Sequence, residues 1–469
     1  MIMERLYLEK LERWLTKRNR KPLLIYGARQ VGKTTLVKDI FAPLHFEKVI
    51  YVDFKIDHEA RVFIKNNVSA HAIVNYLSIR NNVVIDEKTL IIFDEIQECV
   101  PCITSLKYFE QDYKSVPVIA TGSMVRIRLK QLEYQSSRIR LDPEIERERQ
   151  DGVNNFMFPT GKIEHLNMYP MAFGEYLNAR NKMAYQHIKE AYSKKEPLDP
   201  AFHKMAMDYV YEFLCVGGMP EVVQTFLDTD SFVEARKDLA RLYSDYLADM
   251  ALYQISQETI MRTRALFNNV YAQLNKENKN YKISLIEPGK RNRDYLYPMD
   301  WLAQGRIVFK SNQLKERVTL PLREESESLY RVYLSDLGLL AYQSGLNGVN
   351  FLDASKRNDL AGLFFENFAA IEFGTRGIPL FYWKGKTTSE FEFVLNLANS
   401  PVVVDAKKNK GSLASLEVYR RLNPRSLAIK VSGNGYGFDE SQNLLTLPFY
   451  YLGFFLDENL DSIQQTEEI

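Results

Sequence analysis

The run Gly27-Ala28-Arg29-Gln30-Val31-Gly32-Lys33-Thr34 constrains this chain more than any other stretch. It meets every fixed position of the G-x-x-x-x-G-K-[ST] phosphate-binding loop. Its setting agrees with the motif. Leu23-Leu24-Ile25-Tyr26 is a short apolar strand before it, and Thr35-Leu36-Val37-Lys38-Asp39-Ile40-Phe41 reads as a helix after it. Backbone N–H groups at the opening of a helix make a ready seat for phosphate oxygens. Glycine serves where the backbone turns tightly and comes close to a ligand. The candidate nucleotide site is therefore Gly27, Ala28, Arg29, Gln30, Val31, Gly32, Lys33, Thr34 and Thr35. Lys33 is expected on the β- and γ-phosphates, and the Thr34 hydroxyl on Mg²⁺.

A second signature supports the first. Leu90-Ile91-Ile92-Phe93 is an apolar run that ends in Asp94-Glu95. Continuous apolar runs suit strands covered on both faces of a parallel sheet, and acids at the carboxyl end of such a strand point into the ligand crevice. Asp94 is expected to hold Mg²⁺ through water, and Glu95 to polarise the attacking water as a general base. Together with Lys33 this pattern implies hydrolysis rather than storage of the nucleotide. A third strand, Val116-Pro117-Val118-Ile119-Ala120, runs into Thr121-Gly122-Ser123. There a γ-phosphate sensor and an ordinary turn weigh equally. Asp53, ending the strand-like Val49-Ile50-Tyr51-Val52, lies near the same crevice with its role open.

With 469 residues the chain has room for two or three domains. A net charge of +1 excludes a surface that attracts polyanions everywhere, though not a local basic groove. The longest apolar run, Leu444 to Leu456, is too short for a membrane span and contains Pro448. The N-terminus carries charges too early for a secretory signal. Its Leu6, Leu8, Leu11, Trp14 and Leu15 suggest an amphipathic helix on the ATPase sheet. Three cysteines fit a reducing, cytoplasmic setting. Cys99 and Cys102 lack the further ligands of a zinc site, and the scattered histidines exclude a zinc hydrolase of the H-E-x-x-H kind.

Residues 1–180 alternate strand and helix, as an α/β P-loop domain does. A charged insertion near 131–153 interrupts them, and Arg126, Arg128, Arg138 and Arg140 are candidates there for an arginine finger. Residues 181–350 are mainly helical. The helix, turn and strand of 300–309 are consistent with a winged-helix module, and Lys290-Arg291-Asn292-Arg293 forms a small basic cluster. Residues 351–469 begin with a helix from Asp359 to Phe373 carrying Glu366, followed by strands at 378–383, 390–395 and 402–407. Asp405 and Lys407 share a strand face. With Glu366 they suggest an Mg²⁺ site able to stabilise a phosphate transition state.

These motifs together resemble a large family of bacterial and archaeal AAA+ superfamily ATPases. The resemblance rests on the phosphate loop, Asp94-Glu95-Ile96-Gln97, Thr121-Gly122-Ser123, Met168-Tyr169-Pro170-Met171-Ala172-Phe173, Gly217-Gly218-Met219-Pro220, Ser335-Asp336-Leu337-Gly338 and Gly362-Leu363-Phe364-Phe365-Glu366. It spans almost the whole chain. It implies an AAA+-type ATPase domain, ATP and Mg²⁺ as cofactors, and a C-terminal domain similar to the restriction-endonuclease fold. Where that family commonly has Ser-Glu-x-Asp-Phe and Glu-x-Lys, this chain has Ser389-Glu390-Phe391-Glu392-Phe393 and Asp405-Ala406-Lys407. Both swaps keep a carboxylate and change its reach by one methylene. Three expectations follow in rank. The first is an ATPase moving its C-terminal domains on an unknown protein partner or a second copy of itself. The second is an ATP-dependent nuclease or DNA-processing factor using Glu366, Glu392, Asp405 and Lys407. The third is a nucleotide-gated scaffold with little turnover. DNA contact through the C-terminal domains, with no membrane involvement, completes the partner expectations.

Overall fold

A computed structural model of the chain describes residues 3–123, 159–252, 256–353, 355, 362–386, 389–407, 414–424 and 426–463. The charged insertion and the four arginine-finger candidates Arg126, Arg128, Arg138 and Arg140 lie outside the described residues. The described residues gather into two compact units. One runs to Tyr169, and the other holds almost everything from Pro170 onward. The helix Phe173–Arg180 thus belongs to the second unit, and residues 181–350 and 351–469 share that unit.

The N-terminal unit is built on a five-stranded, wholly parallel sheet in the order β2-β3-β4-β1-β5. The strands are β1 (Leu23–Gly27), β2 (Lys48–Asp53), β3 (Thr89–Asp94), β4 (Val118–Gly122) and β5 (Glu164–Met168). Every residue of β1, β3 and β4 is buried, as the unbroken apolar runs require of strands covered on both faces. Helices Ala70–Asn81 and Val100–Asp112 supply one cover, packing Ile73, Leu77, Ile103 and Leu106 against Ile91 and Phe93. Cys99 and Cys102 are free and buried near this core. Burial raises the Cys99 thiol to about 11.

Two local features differ from the sequence reading. The N-terminal helix Tyr7–Thr16 buries Tyr7, Leu11 and Trp14, spaced i, i+4, i+7, so its inner stripe is rotated away from Leu8 and Leu15. The stripe meets the helix after the phosphate loop, where the Trp14 and Phe41 rings lie 6.5 Å apart. That following helix, Thr35–Phe41, is wound in wide π-type turns before tightening over Ala42–His45. Ala42 N–H reaches back to the Val37 carbonyl, and Pro43 next in line has no N–H to offer. Wide turns of this kind recur beside functional sites.

The C-terminal unit opens with helices Phe173–Arg180, Lys182–Ser193, Pro200–Val216, Pro220–Thr229 and Phe232–Leu252. It then forms two mixed sheets. In the first, β6 (Val308–Gln313) and β7 (Tyr330–Leu334) are antiparallel, and β6 also pairs with β8 (Phe381–Lys384), which pairs with β9 (Glu390–Phe391). The pair β6–β7 thus continues into strands from the last block. The second sheet has the order β10-β11-β12-β14-β13, with β10 (Phe393–Leu397), β11 (Ser400–Ala406), β12 (Ala428–Ser432), β13 (Gly437–Asp439) and β14 (Leu444–Pro448). Helix Leu363–Gly374 is buried along its whole length, which explains its apolar character on all sides. The single strand expected over 390–395 is broken at Glu392, and this break lets one carboxylate turn into the interior while Glu390 pairs with Arg331.

Candidate functional site

The loop 27–34 joins the centre of the parallel sheet to the helix at Thr35, so it lies at the carboxyl ends of the strands. Gly32 and Gln30 take positive φ, 89° and 62°, which curls the backbone around a small space. Gly27 is required for a different reason. A Cβ there would stand 2.3 Å from the Met168 carbonyl, because β1 and β5 run side by side with Gly27 opposite Met168. The Lys33 ammonium is buried and donates to the Gly27 carbonyl at 3.1 Å and the Ala28 carbonyl at 2.8 Å. Burial lowers its pKa from 10.5 to about 8, against the opposing pull of Glu95 and Asp94. It is a desolvated cation inside a ring of backbone dipoles, suited to a phosphate oxygen.

One carboxylate gathers the rest of the site. Asp94 ends β3, and β4 lies between β3 and β1. Its Oδ2 accepts from the Thr34 hydroxyl at 2.8 Å and from the Tyr51 phenol at 2.8 Å. Its Oδ1 accepts from the Thr121 hydroxyl at the end of β4 and from the Glu95 N–H at 3.0 Å. The acid and hydroxyl named from sequence are thus in contact across 60 residues. A carboxylate beside a hydroxyl is an oxygen donor set that suits Mg²⁺. Glu95 has φ 52°, a left-handed conformation uncommon for a side chain of its size, and its carboxylate accepts from the Gln97 amide. Ser123 is fully buried, and among the described residues its hydroxyl has no hydrogen-bond partner. Asp53 instead caps its own turn, accepting from the Lys55 N–H at 2.8 Å.

Two residues absent from the sequence reading complete this surround. Arg5 is buried and donates to the carbonyls of Val31, inside the loop, and Tyr169, both at 2.8 Å. Its partners are 26 and 164 residues away, and no local pattern marks it. Tyr51 could have been found. In β2, Ile50 and Val52 are buried while Tyr51 and Asp53 are half-buried, an alternation that puts Tyr51 on the Asp53 side.

In the C-terminal unit the structure brings Glu366, Glu392, Asp405 and Lys407 together. The Lys407 ammonium stands 2.9 Å from Asp405 and 3.7 Å from Glu392. Glu366 pairs with Lys279, which the sequence did not single out. Glu392 is fully buried, and its proton affinity is raised first by burial and then by the charges of Glu366 and Asp405. Burial would lower Lys407, yet Glu392 and Asp405 outweigh it and raise it. Among the described residues one oxygen each of Glu366 and Glu392 is buried without a hydrogen-bond partner, though that of Glu392 is the one 3.7 Å from the Lys407 ammonium. Even so, among the described residues no three His, Cys, Asp or Glu side chains are set to hold a metal ion. Arg420 spends its guanidinium on the carbonyls of Ser426, Gln442 and Asn443. Among the described residues no helix is long and apolar enough to cross a membrane.

Residues 19–143 match the family model of an AAA domain, and residues 207–350 match that of a domain of unknown function (DUF8612). No curated protein matches the chain. The parallel sheet, the loop at its centre and the first match agree. The match at residues 19–143 supports an AAA-type, nucleotide-binding ATPase-like domain in the N-terminal part of this chain, and residues 207–350 are similar to an uncharacterised domain.

Proposed function

We propose that the chain binds ATP with Mg²⁺ and hydrolyses it, and that hydrolysis moves the C-terminal parts of the chain on a partner. The observation that carries this reading is the convergence on Asp94. The hydroxyl of the phosphate loop, the strand-end acid and the Thr121 hydroxyl meet on one carboxylate, next to Glu95. The backbone of 27–35 and Lys33 take the phosphates, while Thr34 and Asp94 take Mg²⁺, which when bound neutralises phosphate charge. Glu95 accepts a proton from the attacking water, with Gln97 orienting its carboxylate. Thr121 holds Asp94, which leaves the unpartnered Ser123 hydroxyl as the better candidate to sense the γ-phosphate. In this reading 1–180, 181–350 and 351–469 act as an ATPase part, a helical part with winged-helix character and a C-terminal part. Equilibrium binding of ATP tests it: the parent chain binds in the presence of Mg²⁺ and Lys33→Ala does not. Equal affinity of the two would remove the loop from the account.

A second reading has one specific support, the gathering of Glu366, Glu392, Asp405 and Lys407 into one cluster. In a restriction-endonuclease-like domain these residues would serve phosphodiester hydrolysis. As they stand, the carboxylates are neutralised by Lys279 and Lys407 rather than set as a metal cage. Incubation with plasmid and single-stranded DNA, Mg²⁺ or Mn²⁺, and ATP decides it. Cleavage that disappears in Asp405→Ala supports the reading, and no cleavage by the parent chain sinks it.

A further inference from the structure

Of the four donors on Asp94, three come from motif segments: Thr34, Thr121 and the Glu95 N–H. The fourth, the Tyr51 phenol, belongs to none. It donates at 2.8 Å to Oδ2, the same oxygen that Thr34 holds. The geometry is set by the sheet. β2 pairs with β3 so that Tyr51 stands opposite Ile92 and Asp53 opposite Asp94, which places Tyr51 diagonal to Asp94 on one face. A phenol carries its proton at neutral pH and an ionised carboxylate only accepts, so Tyr51 is the donor in this bond.

The ring itself is also held. The Lys38 ammonium lies 4.1 Å from its centroid, a cation–π contact. Lys38 is one turn beyond Thr34 in the helix that opens at the phosphate loop. That helix therefore reaches Asp94 twice, directly through Thr34 and indirectly through Lys38 and Tyr51. A carboxylate that faces a metal needs its rotation fixed by outer hydrogen bonds, and losing such a partner typically weakens metal binding 10- to 100-fold.

We propose that Tyr51 is a positioning residue of the nucleotide site: it holds the Asp94 carboxylate in the rotation that receives Mg²⁺ and so sets how strongly the metal reinforces nucleotide binding. This rests on the ATP–Mg²⁺ reading above. The test is the affinity of the full chain for a fluorescent, non-hydrolysable ATP analogue, measured in EDTA and in Mg²⁺, for the parent and for Tyr51→Phe. The variant keeps the ring under Lys38 and removes only the hydroxyl. The expected result is an unchanged affinity in EDTA and a loss of about ten-fold in the gain that Mg²⁺ brings. An unchanged Mg²⁺ gain overturns the inference. So does an equal loss in EDTA and Mg²⁺, which marks a general structural effect. A parent chain that binds no analogue under either condition fails the nucleotide reading itself, a result distinct from both.

Discussion

Lys33 is held inside the phosphate loop with its ammonium on two backbone carbonyls, and burial lowers its pKa from 10.5 to about 8. Because the folded value lies below the unfolded one, the fold binds this proton more weakly than the open chain does. The resulting destabilisation is complete below pH 8 and is relieved as the pH rises from about 8 toward 10.5. A shift of that size is worth roughly 3 kcal/mol. Relative to Lys33→Met, the nucleotide-free N-terminal unit of the parent should therefore gain on the order of 3 kcal/mol between pH 7 and pH 11. Hydrogen exchange of the β1 amides at the two pH values reads this directly; a difference that does not change with pH would contradict it. At this scale the site was legible where chemistry fixes residue type at short spacing, as at Lys33-Thr34 and Asp94-Glu95. Arg5 was not legible, because its partners Val31 and Tyr169 are brought to it only by the folded sheet.

At the scale of elements, Arg5 ties the start of the chain to the phosphate loop and to the end of the N-terminal unit. The Tyr169 N–H is held in turn by the Tyr7 hydroxyl at 3.0 Å. Arg5→Ala strips two carbonyls of their donor, at about 1–3 kcal/mol each where no water replaces it. The expected outcome is a loss of about 3 kcal/mol in the N-terminal unit and faster exchange of the amides around Val31, with β12 and β14 unchanged. In the C-terminal unit Asp336 accepts from the Gly218 N–H at 2.7 Å and the Leu339 N–H at 2.8 Å, and burial raises it to about 6. It caps helix Leu337–Ser344 and closes the break between helices Pro200–Val216 and Pro220–Thr229 in one contact. Asp336→Ala should cost the C-terminal unit about 2–4 kcal/mol by urea unfolding. The strands that were read lie within a few residues of their places because apolar runs mark them, whereas β5, β7, β12, β13 and β14 were not read. The break at Glu392 and the wide helix at 35–41 escaped, since alternation continues through Glu390-Phe391-Glu392-Phe393 and helical spacing does not distinguish turn width.

For the whole molecule, the sequence showed composition shifting along the chain but not which segments share a core. Two backbone contacts of the motif at Met168–Phe173 explain part of this. Met171 N–H bonds the Gly218 carbonyl at 2.7 Å, and Phe173 N–H bonds Glu372 at 2.8 Å, so the stretch after Tyr169 is drawn into the C-terminal unit. Glu372 pairs in turn with Arg376, buried between helices Leu363–Gly374 and Phe449–Glu458, where Arg376 also holds Asp457. Breaking such a buried group strands an uncompensated charge. Arg376→Met should destabilise the C-terminal unit by about 3–5 kcal/mol, measured by urea unfolding, and an effect below 1 kcal/mol would contradict its role. Phosphate release from ATP reads the proposed turnover at the N-terminal site. With Mg²⁺ present, the parent chain should release phosphate, while Glu95→Gln should bind ATP with similar affinity and release almost none. Equal release by the two chains would contradict the assignment of Glu95, and no release by the parent with any DNA or protein partner would contradict the ATPase account.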